Sequence, residues 1–320
     1  MNNFARYPGM NPSLESFVME AERLTPKNVN ELRDPLFRRM AQIKRDSSIN
    51  LNRPKNIVVT EEKVSTASGF VKVRIYEPSN FSVKKPCLIF LHGGGWVMGD
   101  LNSHDAVCVD LSLNSRVKVC SVAYSLAPEA PYPVALNECV AVFKFLYENP
   151  DKFNINNDLI AVGGDSAGGN LALCLSLKLR SEMHPLPATN LLIYPCLGLD
   201  FETPSYKDYA DAPILNKDSM IWFWQNYLSY NLECKDPLAI PNLEGNLKGM
   251  PPTILCTAEI DPLASEGEQL AKTLIENGVP LVYQQSKGMV HGFIRFREPN
   301  SVAQTEFTKM INALKYFLCI

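Results

Sequence analysis

A single serine set between glycines at a strand-to-helix junction constrains this chain more than any other feature. Residues 159–170 read LIAVGGDSAGGN, an apolar run followed by G-x-S-x-G around Ser166, and Leu171–Leu177 then suits a helix. A direct turn from strand to helix strains the backbone of Ser166, and Gly164 and Gly168 let the two elements approach each other. The pattern predicts a nucleophile elbow with its hydroxyl at the carboxyl edge of a sheet. The alternative is a tight turn with a serine N-cap.

The alternation of strand-like and helix-like runs predicts an α/β fold with a mostly parallel central sheet flanked by helices. The first two strands read as an antiparallel edge pair, and an amphipathic helical arm from about residue 11 to 49 precedes them. The predicted strands are 58–60, 71–76, 87–91, 117–123, the elbow strand, 191–194, 253–257 and 281–283, and the predicted helices after the arm are 134–147, the elbow helix, 265–277 and 305–318.

One region interrupts this alternation. Residues 200–248 are polar and dotted with proline, except for the aromatic run MIWFWQNYL at 220–228. Such a run is too apolar for a plain surface connection, so we expect it to cover the sheet edge as core, to form part of a lid, or to do both.

Composition bounds the class of protein. With 320 residues, 46% apolar and 20% charged, the chain is ordinary for a soluble globular enzyme, and a net charge of −3 gives no reason to expect nucleic acid or an anionic membrane as partner. The nine cysteines show no metal-ligand spacing, and several lie in apolar runs, which predicts buried free thiols, no metal and a reducing compartment. Neither a signal peptide nor an apolar run of about 20 residues is recognisable, so we expect a cytoplasmic protein.

A catalytic serine needs a base, and the chain offers few. Its four histidines are His92, His104, His184 and His291. In this type of fold the triad runs in the order serine, acid, histidine, which leaves the two that follow Ser166. His184 lies in a polar segment before a proline and suits a solvated helix end. His291 follows a predicted strand at the carboxyl edge and is the favoured base.

The acid is expected at the same edge of the sheet. Asp261 comes directly after the strand at 253–257, in the sequence AEIDPL. Glu259 is its rival, whereas Glu266 and Glu268 fall in the next helix and are expected to serve its N-terminus. An ordinary Asp-Pro turn is the alternative for Asp261.

Acyl transfer also needs donors for a developing negative charge. The three glycines Gly93–Gly95 follow a buried strand, so their N–H groups can point into a cavity with no Cβ in the way. The N–H of Ala167, at the start of the elbow helix, is a third donor. A phosphate loop would need a following Gly-Lys-Ser/Thr, and a dinucleotide fingerprint would need G-x-G-x-x-G, and the sequence has neither.

Four motifs in this order carry a family resemblance: HGGGW at 92–96, GDSAG at 164–168, DPL at 261–263 and HGF at 291–293. From about Lys85 onward the chain resembles the hormone-sensitive-lipase-like family, the bacterial family IV carboxylesterases of the α/β-hydrolase fold, in the branch with aspartate before the nucleophile. YSLAPE at 124–129 is similar to the Y-R-L-A-P-E of the family, with Ser125 in place of a non-catalytic arginine.

The resemblance implies a complete set of site residues. Ser166 would be the nucleophile, His291 the base and Asp261 the acid. The oxyanion hole would be built at Gly93, Gly94, Gly95 and Ala167, with the last three donating N–H groups and Gly93 and His92 shaping the loop. The remaining implied residues are Trp96 and Asp165 as motif support and Trp222 and Phe223 as candidate substrate-pocket residues. Residues 1–50 would form a helical cap over the catalytic domain 51–320, with 200–248 as a cap-contributing insertion, and no cofactor would be needed.

The expected activity is that of a serine carboxylesterase acting on short- to medium-chain acyl esters, with a small-molecule ester as its partner and a homodimer as a family habit. An amidase or deacetylase on the same triad, and a catalytically silent small-molecule receptor on this scaffold, are the alternatives. A trypsin-like protease is disfavoured because that fold is all-β and its triad histidine precedes the serine.

Overall fold

The computed structural model describes residue 7 and residues 9–24, 33–46, 53–79, 84–297 and 301–320. The strands are β1 (Ile57–Thr66), β2 (Gly69–Pro78), β3 (Lys85–Leu91), β4 (Lys118–Ala123), β5 (Ile155–Asp165), β6 (Asn190–Ile193), β7 (Thr253–Ile260) and β8 (Leu281–Val290). The α-helices are α1 (Glu15–Leu24), α2 (Pro35–Asp46), α3 (Asp105–Ser115), α4 (Val134–Glu148), α5 (Pro150–Phe153), α6 (Ala167–Ser181), α7 (Pro204–Asp208), α8 (Lys217–Tyr227), α9 (Ala264–Glu276) and α10 (Val302–Phe317).

Within those residues the strands form one eight-stranded sheet in the order β1-β2-β4-β3-β5-β6-β7-β8. The pairs β1–β2 and β2–β4 are antiparallel, and every pair from β4 through β3 to β8 is parallel. The predicted α/β class and the antiparallel edge pair are therefore confirmed. Because the parallel strands all end at one edge, the residues that follow β3, β5, β6, β7 and β8 meet there.

The two faces of the sheet carry separate hydrophobic cores, and β3 shows why. All seven residues of this strand are buried, as expected of a central strand covered on both faces. Its odd-numbered apolar residues, such as Ile89 and Leu91, pack into the core under α4, α6 and α9, and Leu88 and Phe90 pack into the core under α3 and α10. Successive side chains of a strand point to opposite faces, so one apolar run builds both cores.

Several elements depart from the sequence prediction, among them β1, which continues to Thr66, and the short helices α5 and α7, which were not predicted; β8 and α3 show the physical reasons most clearly. β8 continues to Val290 rather than ending at residue 283. The prediction ends too early because the polar segment QQSKG, part of an edge strand, lacks the apolar pattern by which a strand is recognised in a sequence. The helix α3 was not predicted, since its sequence DAVCVDLSLNS alternates like a strand. It nevertheless buries Val107, Cys108 and Leu111 against the sheet.

The arm before the sheet contains two helices among the described residues, α1 and α2, in agreement with its amphipathic pattern. Residues 25–32 and 47–49 of the predicted arm lie outside the described part of the chain. In the described ranges, each helix is too short or too polar to cross a lipid bilayer.

Candidate active site

Ser166 occupies the sharp turn between β5 and α6. Its backbone has φ 56° and ψ −120°, a left-handed conformation that side-chain-bearing residues rarely adopt. A Cβ on Gly164 would lie 2.2 Å from the carbonyl oxygen of Leu91, and a Cβ on Gly168 would lie 1.9 Å from the same atom. The end of β3 therefore passes so close to the elbow that both flanking positions require glycine.

The ends of β5, β7 and β8 bring three polar side chains into one hydrogen-bonded chain. Ser166 Oγ lies 2.9 Å from His291 Nε2, and His291 Nδ1 lies 2.7 Å from Asp261 Oδ2. Asp261 directly follows β7 and His291 directly follows β8, so the predicted acid and the predicted base come from two neighbouring parallel strands. We refer to Ser166, His291 and Asp261 as the triad.

The carboxylate of Asp261 is fixed from both sides. It is completely buried, and its second oxygen, Oδ1, accepts the N–H of Leu263 at 2.9 Å. This is the hydrogen bond of an ordinary Asp-Pro turn. Asp261 therefore forms that turn and also contacts the imidazole of His291. The turn orients Oδ2 toward His291 and holds the ring in place.

The other acids of this region face elsewhere. Glu259 accepts the N–H of Gly288 at 2.6 Å. Glu266 was expected to serve the N-terminus of its own helix, which is wrong: it accepts the N–H groups of Leu197 and Gly198. Burial, together with the nearby charge of Asp261, raises the pKa of Glu266 to about 8. Of the three acids, Asp261 is therefore the one whose carboxylate contacts the triad histidine.

His184 lies away from the triad. It is half-buried against two aromatic side chains, with ring centroids 6.2 Å from Phe143 and 5.6 Å from Tyr147. His184 does lie just past the C-terminus of α6, where its N–H donates to the carbonyl of Leu179 at 2.9 Å, and its ring is partly exposed with α4 covering one side. His92 and His104 lie behind the glycine loop described next.

The glycine loop after β3 presents unpaired N–H groups beside the elbow. Gly94 has φ 127° and Gly95 has φ 60°, and a Cβ on Gly94 would lie 2.3 Å from the carbonyl oxygen of Met98. Within residues 84–297, the N–H groups of Gly94, Gly95 and Ala167 donate to no acceptor of the protein. Three amide donors next to a triad serine suit the binding of an oxyanion.

Gly93 holds this loop in place. Its N–H donates to Asp165 Oδ1 at 2.9 Å, so it shapes the loop and is not free to bind a substrate oxygen. His104 Nε2 lies 3.1 Å from the same carboxylate oxygen. Burial acts to raise the pKa of Asp165, but His104, the charge of Arg295 and the Gly93 N–H together outweigh it and hold that pKa below its ordinary value. Asp165 thus anchors the glycine loop to the elbow as a carboxylate.

His92 stabilises the glycine loop through its contacts with Tyr124. Its carbonyl accepts the Tyr124 hydroxyl at 2.6 Å, and its ring stacks on Tyr124 with centroids 4.2 Å apart. Burial lowers the pKa of His92 to about 4, so the ring is neutral at physiological pH. His92 therefore acts as a packed structural residue.

Sequence reasoning missed Tyr194, which touches both halves of the site. It directly follows β6 with φ 34°, and its ring centroid lies 4.6 Å from that of His291. Its hydroxyl lies 3.4 Å from Asp165 Oδ2, and burial raises the pKa of the phenol. Its position at the end of a parallel strand is the available signal, but the apolar run at 191–194 predicts that the residue belongs to the strand itself.

The aromatic helix α8 packs against the glycine loop. Trp96 is fully buried and stacks on Tyr227, with ring centroids 4.2 Å apart. The ring of Phe223 lies where a Cβ on Gly95 would be, at 2.2 Å. Trp222 is turned toward the arm, where the guanidinium of Arg38 lies 4.3 Å from its ring centroid. Of the two candidate pocket residues, Phe223 therefore borders the loop with the free N–H groups and Trp222 contacts α2.

Comparison with known proteins agrees with this geometry. A family model described as alpha/beta hydrolase fold matches residues 88–295. The carboxylic ester hydrolase LipN of Mycobacterium tuberculosis is 33% identical over 269 residues, covering 82% of this chain and 71% of that protein. The ethyl acetate hydrolase of Pseudomonas putida is 30% identical over 264 residues, covering 81% and 83%. The crystal structure of a thermostable esterase from Pseudomonas putida ECU1011 superposes with a TM-score of 0.90 at 29% identity, covering 97% and 98%.

Proposed function

The chain belongs to the hormone-sensitive-lipase-like family of the α/β-hydrolase fold, and from this membership we propose that it is a serine carboxylesterase. In this proposal the enzyme cleaves short- to medium-chain acyl esters through an acyl-enzyme on Ser166. The observation that carries the proposal is the continuous contact from Ser166 through His291 to Asp261, at 2.9 and 2.7 Å, beside unpaired amide donors. The aspartate at position 165 leads us to place the chain in the branch with aspartate before the nucleophile.

Acylation uses every member of this arrangement. Ser166 Oγ attacks the ester carbonyl carbon while His291 Nε2 takes its proton, and the imidazolium that forms is stabilised by Asp261. The carbonyl oxygen becomes an oxyanion that accepts the N–H groups of Gly94, Gly95 and Ala167. The tetrahedral intermediate collapses, the bond to the alkoxy oxygen breaks, and His291 returns its proton to the leaving alcohol.

Deacylation repeats the same steps with water. His291 takes a proton from a water molecule, which attacks the acyl carbon, and the second oxyanion occupies the same three donors. Collapse releases the carboxylic acid and returns the proton to Ser166. In each half-reaction one imidazole, held in orientation by Asp261, takes the proton of the nucleophile and passes it to the leaving oxygen.

Kinetics with p-nitrophenyl butyrate test the nucleophile. Ser166→Ala is expected to lower kcat by about 10⁴-fold or more, because the remaining donors and binding contacts cannot replace covalent catalysis. Ser181→Ala, an exposed serine at the other end of α6, is the matched control and should keep normal turnover. Turnover by Ser166→Ala within tenfold of the wild type would refute the assignment.

A short acyl group is the proposed substrate class. The support is the ethyl acetate hydrolase relative together with Phe223, whose ring borders the glycine loop and can limit the space beside it. Rates on p-nitrophenyl esters of increasing acyl length are expected to peak at short to medium chains. Matched p-nitroanilides should be hydrolysed far more slowly, and the opposite preference would favour an amidase.

We also propose that residues 1–50 act as a cap on the catalytic domain 51–320, assisted by residues 200–248. The support is the contact of α2 with Trp222 and with the glycine loop. Removing residues 1–50 should change the acyl-length preference, and an unchanged preference would show that the arm is not a cap.

A cytoplasmic homodimer is the proposed state in the cell. The support for the location is that all nine cysteines are free thiols, which suits a reducing compartment. Subcellular fractionation tests the location, and light scattering of the purified protein tests the dimer.

A further inference from the structure

Arg39, on the arm helix α2, reaches across to the loops that surround the active site. Its Nε donates to the carbonyl of Val97 at 2.7 Å, and its Nη2 donates to the carbonyl of Ala127 at 2.8 Å. The same guanidinium forms a bidentate pair with Glu129 at 2.8 and 2.7 Å. One side chain therefore uses its planar set of donors on four acceptor atoms of three residues in two loops.

The two backbone acceptors belong to the glycine loop and to the loop after β4, which is bonded to the glycine loop. Val97 follows Gly95 by two residues, and its N–H donates back to the carbonyl of Gly94 at 3.2 Å. Ala127 donates its N–H to the carbonyl of Trp96 at 2.8 Å, so the two loops are already joined by their backbones. Arg39 bonds to both loops next to this Ala127–Trp96 hydrogen bond. A shift of its donors would therefore move the loops and with them the N–H groups of Gly94 and Gly95.

Gln42, one helical turn further along α2, adds a second contact to the same loop. Its side-chain oxygen accepts the N–H of Gly99 at 2.9 Å, and Gln42 is buried. Residues three apart lie on one face of a helix, so Arg39 and Gln42 present a single polar surface of α2 to the glycine loop. The arm thus holds the loop at Val97 and at Gly99.

The ion pair with Glu129 contributes less than the backbone contacts. The side chain of Glu129 is 65% exposed and that of Arg39 is 23% exposed. An exposed carboxylate is solvated and its pair adds little, whereas a charged donor on a backbone carbonyl fixes the path of the chain. Contact with the loop backbone is therefore the feature of Arg39 that can matter for catalysis.

We propose that Arg39 is a positioning residue for the oxyanion hole. The position of the arm helix α2 against the glycine loop then controls the rate of ester cleavage as well as the choice of acyl group. This inference rests on the proposed esterase function. Arg39 does not touch the reacting atoms; it acts through Val97 and Ala127 on the Gly94 and Gly95 N–H groups. A small displacement of catalytic groups can lower a rate by about 100-fold.

The test is Arg39→Gln, measured with p-nitrophenyl acetate, whose small acyl group is least sensitive to pocket shape. Fluorophosphonate titration run to completion counts the intact sites, so unfolded protein does not enter kcat. We expect kcat per site to fall about 10- to 100-fold with KM changed by less than about threefold. Arg39→Lys should recover part of the rate, since an ammonium can reach one carbonyl but not both.

A trifluoromethyl ketone separates positioning from structural support. Ser166 Oγ adds to its carbonyl carbon, the serine proton passes to His291, and the resulting oxyanion occupies the glycine N–H groups. Its affinity should weaken in step with kcat in Arg39→Gln. Arg23→Gln, which breaks an exposed pair with Glu20 on α1, is the matched control and should leave kcat per site and ketone affinity unchanged.

Two outcomes would overturn the role of Arg39: kcat per titrated site within about twofold of the wild type in Arg39→Gln, or a loss of kcat with unchanged ketone affinity. If Arg39→Gln yields no folded protein, Arg39→Lys decides by the same two measurements. A wild type that neither hydrolyses the ester nor reacts with the fluorophosphonate contradicts the proposed function itself, so the two failures are distinguishable.

Discussion

Two serine–histidine–aspartate clusters lie side by side in this protein, and they differ in what the serine hydroxyl does. In the triad, the hydroxyl lies 2.9 Å from the imidazole and beside unpaired amide donors. The second, which we call the buried cluster, consists of Ser103, His104 and Asp165. There His104 Nδ1 lies 2.9 Å from Ser103 Oγ, and His104 Nε2 lies 3.1 Å from Asp165.

The hydroxyl of the buried cluster is already engaged. Ser103 Oγ donates to the carbonyl of Asp100 at 2.8 Å and accepts the N–H of the same residue at 3.0 Å. Its backbone lacks the left-handed strain of Ser166, and the carboxylate of its cluster holds the Gly93 N–H. A serine near a histidine and an aspartate is therefore not sufficient for catalysis. The nucleophile also needs a transferable proton and donors for the oxyanion.

The largest expected difference between the clusters comes from their histidines. His291→Ala should lower kcat by about 10⁴-fold, because no other group takes the serine proton. His104→Ala should lower kcat by about tenfold or less, since it only leaves Asp165 with one partner fewer. Steady-state kinetics on p-nitrophenyl butyrate measure both. Equal losses would show that the two clusters do not differ in the way described.

The aspartates give the next contrast. Asp261→Asn should cost about 10⁴-fold in kcat, because an amide cannot stabilise the imidazolium and favours the wrong tautomer. Asp165→Asn keeps an oxygen for the Gly93 N–H and should cost about 10- to 100-fold through a less rigid loop. A loss in Asp165→Asn as large as that in Asp261→Asn would place Asp165 in the reaction itself.

Glu266 provides a test on stability beside the triad. Its raised pKa, about 8, means that the folded state binds the proton more tightly than the unfolded chain. Its stabilising contribution is therefore complete below the unfolded-state pKa and is lost as the pH rises toward 8. Relative to Glu266→Gln, the free energy of unfolding of the wild type should fall by up to about 1.4 kcal/mol per pH unit between pH 5 and 8. Parallel urea-unfolding curves across this range would contradict the assignment.

The smallest effect is expected at the serine of the buried cluster. Ser103→Ala should keep kcat within about threefold of the wild type and lower the free energy of unfolding by about 1 kcal/mol for each hydrogen bond that is not replaced. Thermal or urea unfolding measures the second quantity. A large loss of kcat with normal stability would mean that Ser103 takes part in catalysis.

Much of the architecture could be predicted from sequence because the relevant signals are local. Runs such as CLIFL at 87–91 must be buried strands, and the glycines around Ser166 leave few alternatives to an elbow. The order of Asp261 and His291 behind parallel strands also predicts that both reach one edge, and the structure brings them together there. Their catalytic roles stay predictions.

What could not be predicted depends on tertiary contacts. Glu266 looks like a helix-start acid, yet its carboxylate bonds the N–H groups of residues 197 and 198, which precede it by more than sixty positions. His104 and Tyr194 belong to no recognisable motif. Their contacts with Asp165 become visible only in the folded structure, where the side chains of both residues approach its carboxylate. Arg39 is one of several basic residues on an amphipathic helix, and only docking of α2 singles it out.

Mass-spectrometric peptide mapping after fluorophosphonate treatment tests the central claim most directly. The probe phosphonylates an activated serine, so the wild type should carry the label on the peptide containing Ser166, with none on the peptide containing Ser103. His291→Ala should react far more slowly at the same residue, because the hydroxyl has lost its base. Label on a different residue, or none on correctly folded wild-type protein, would contradict the account.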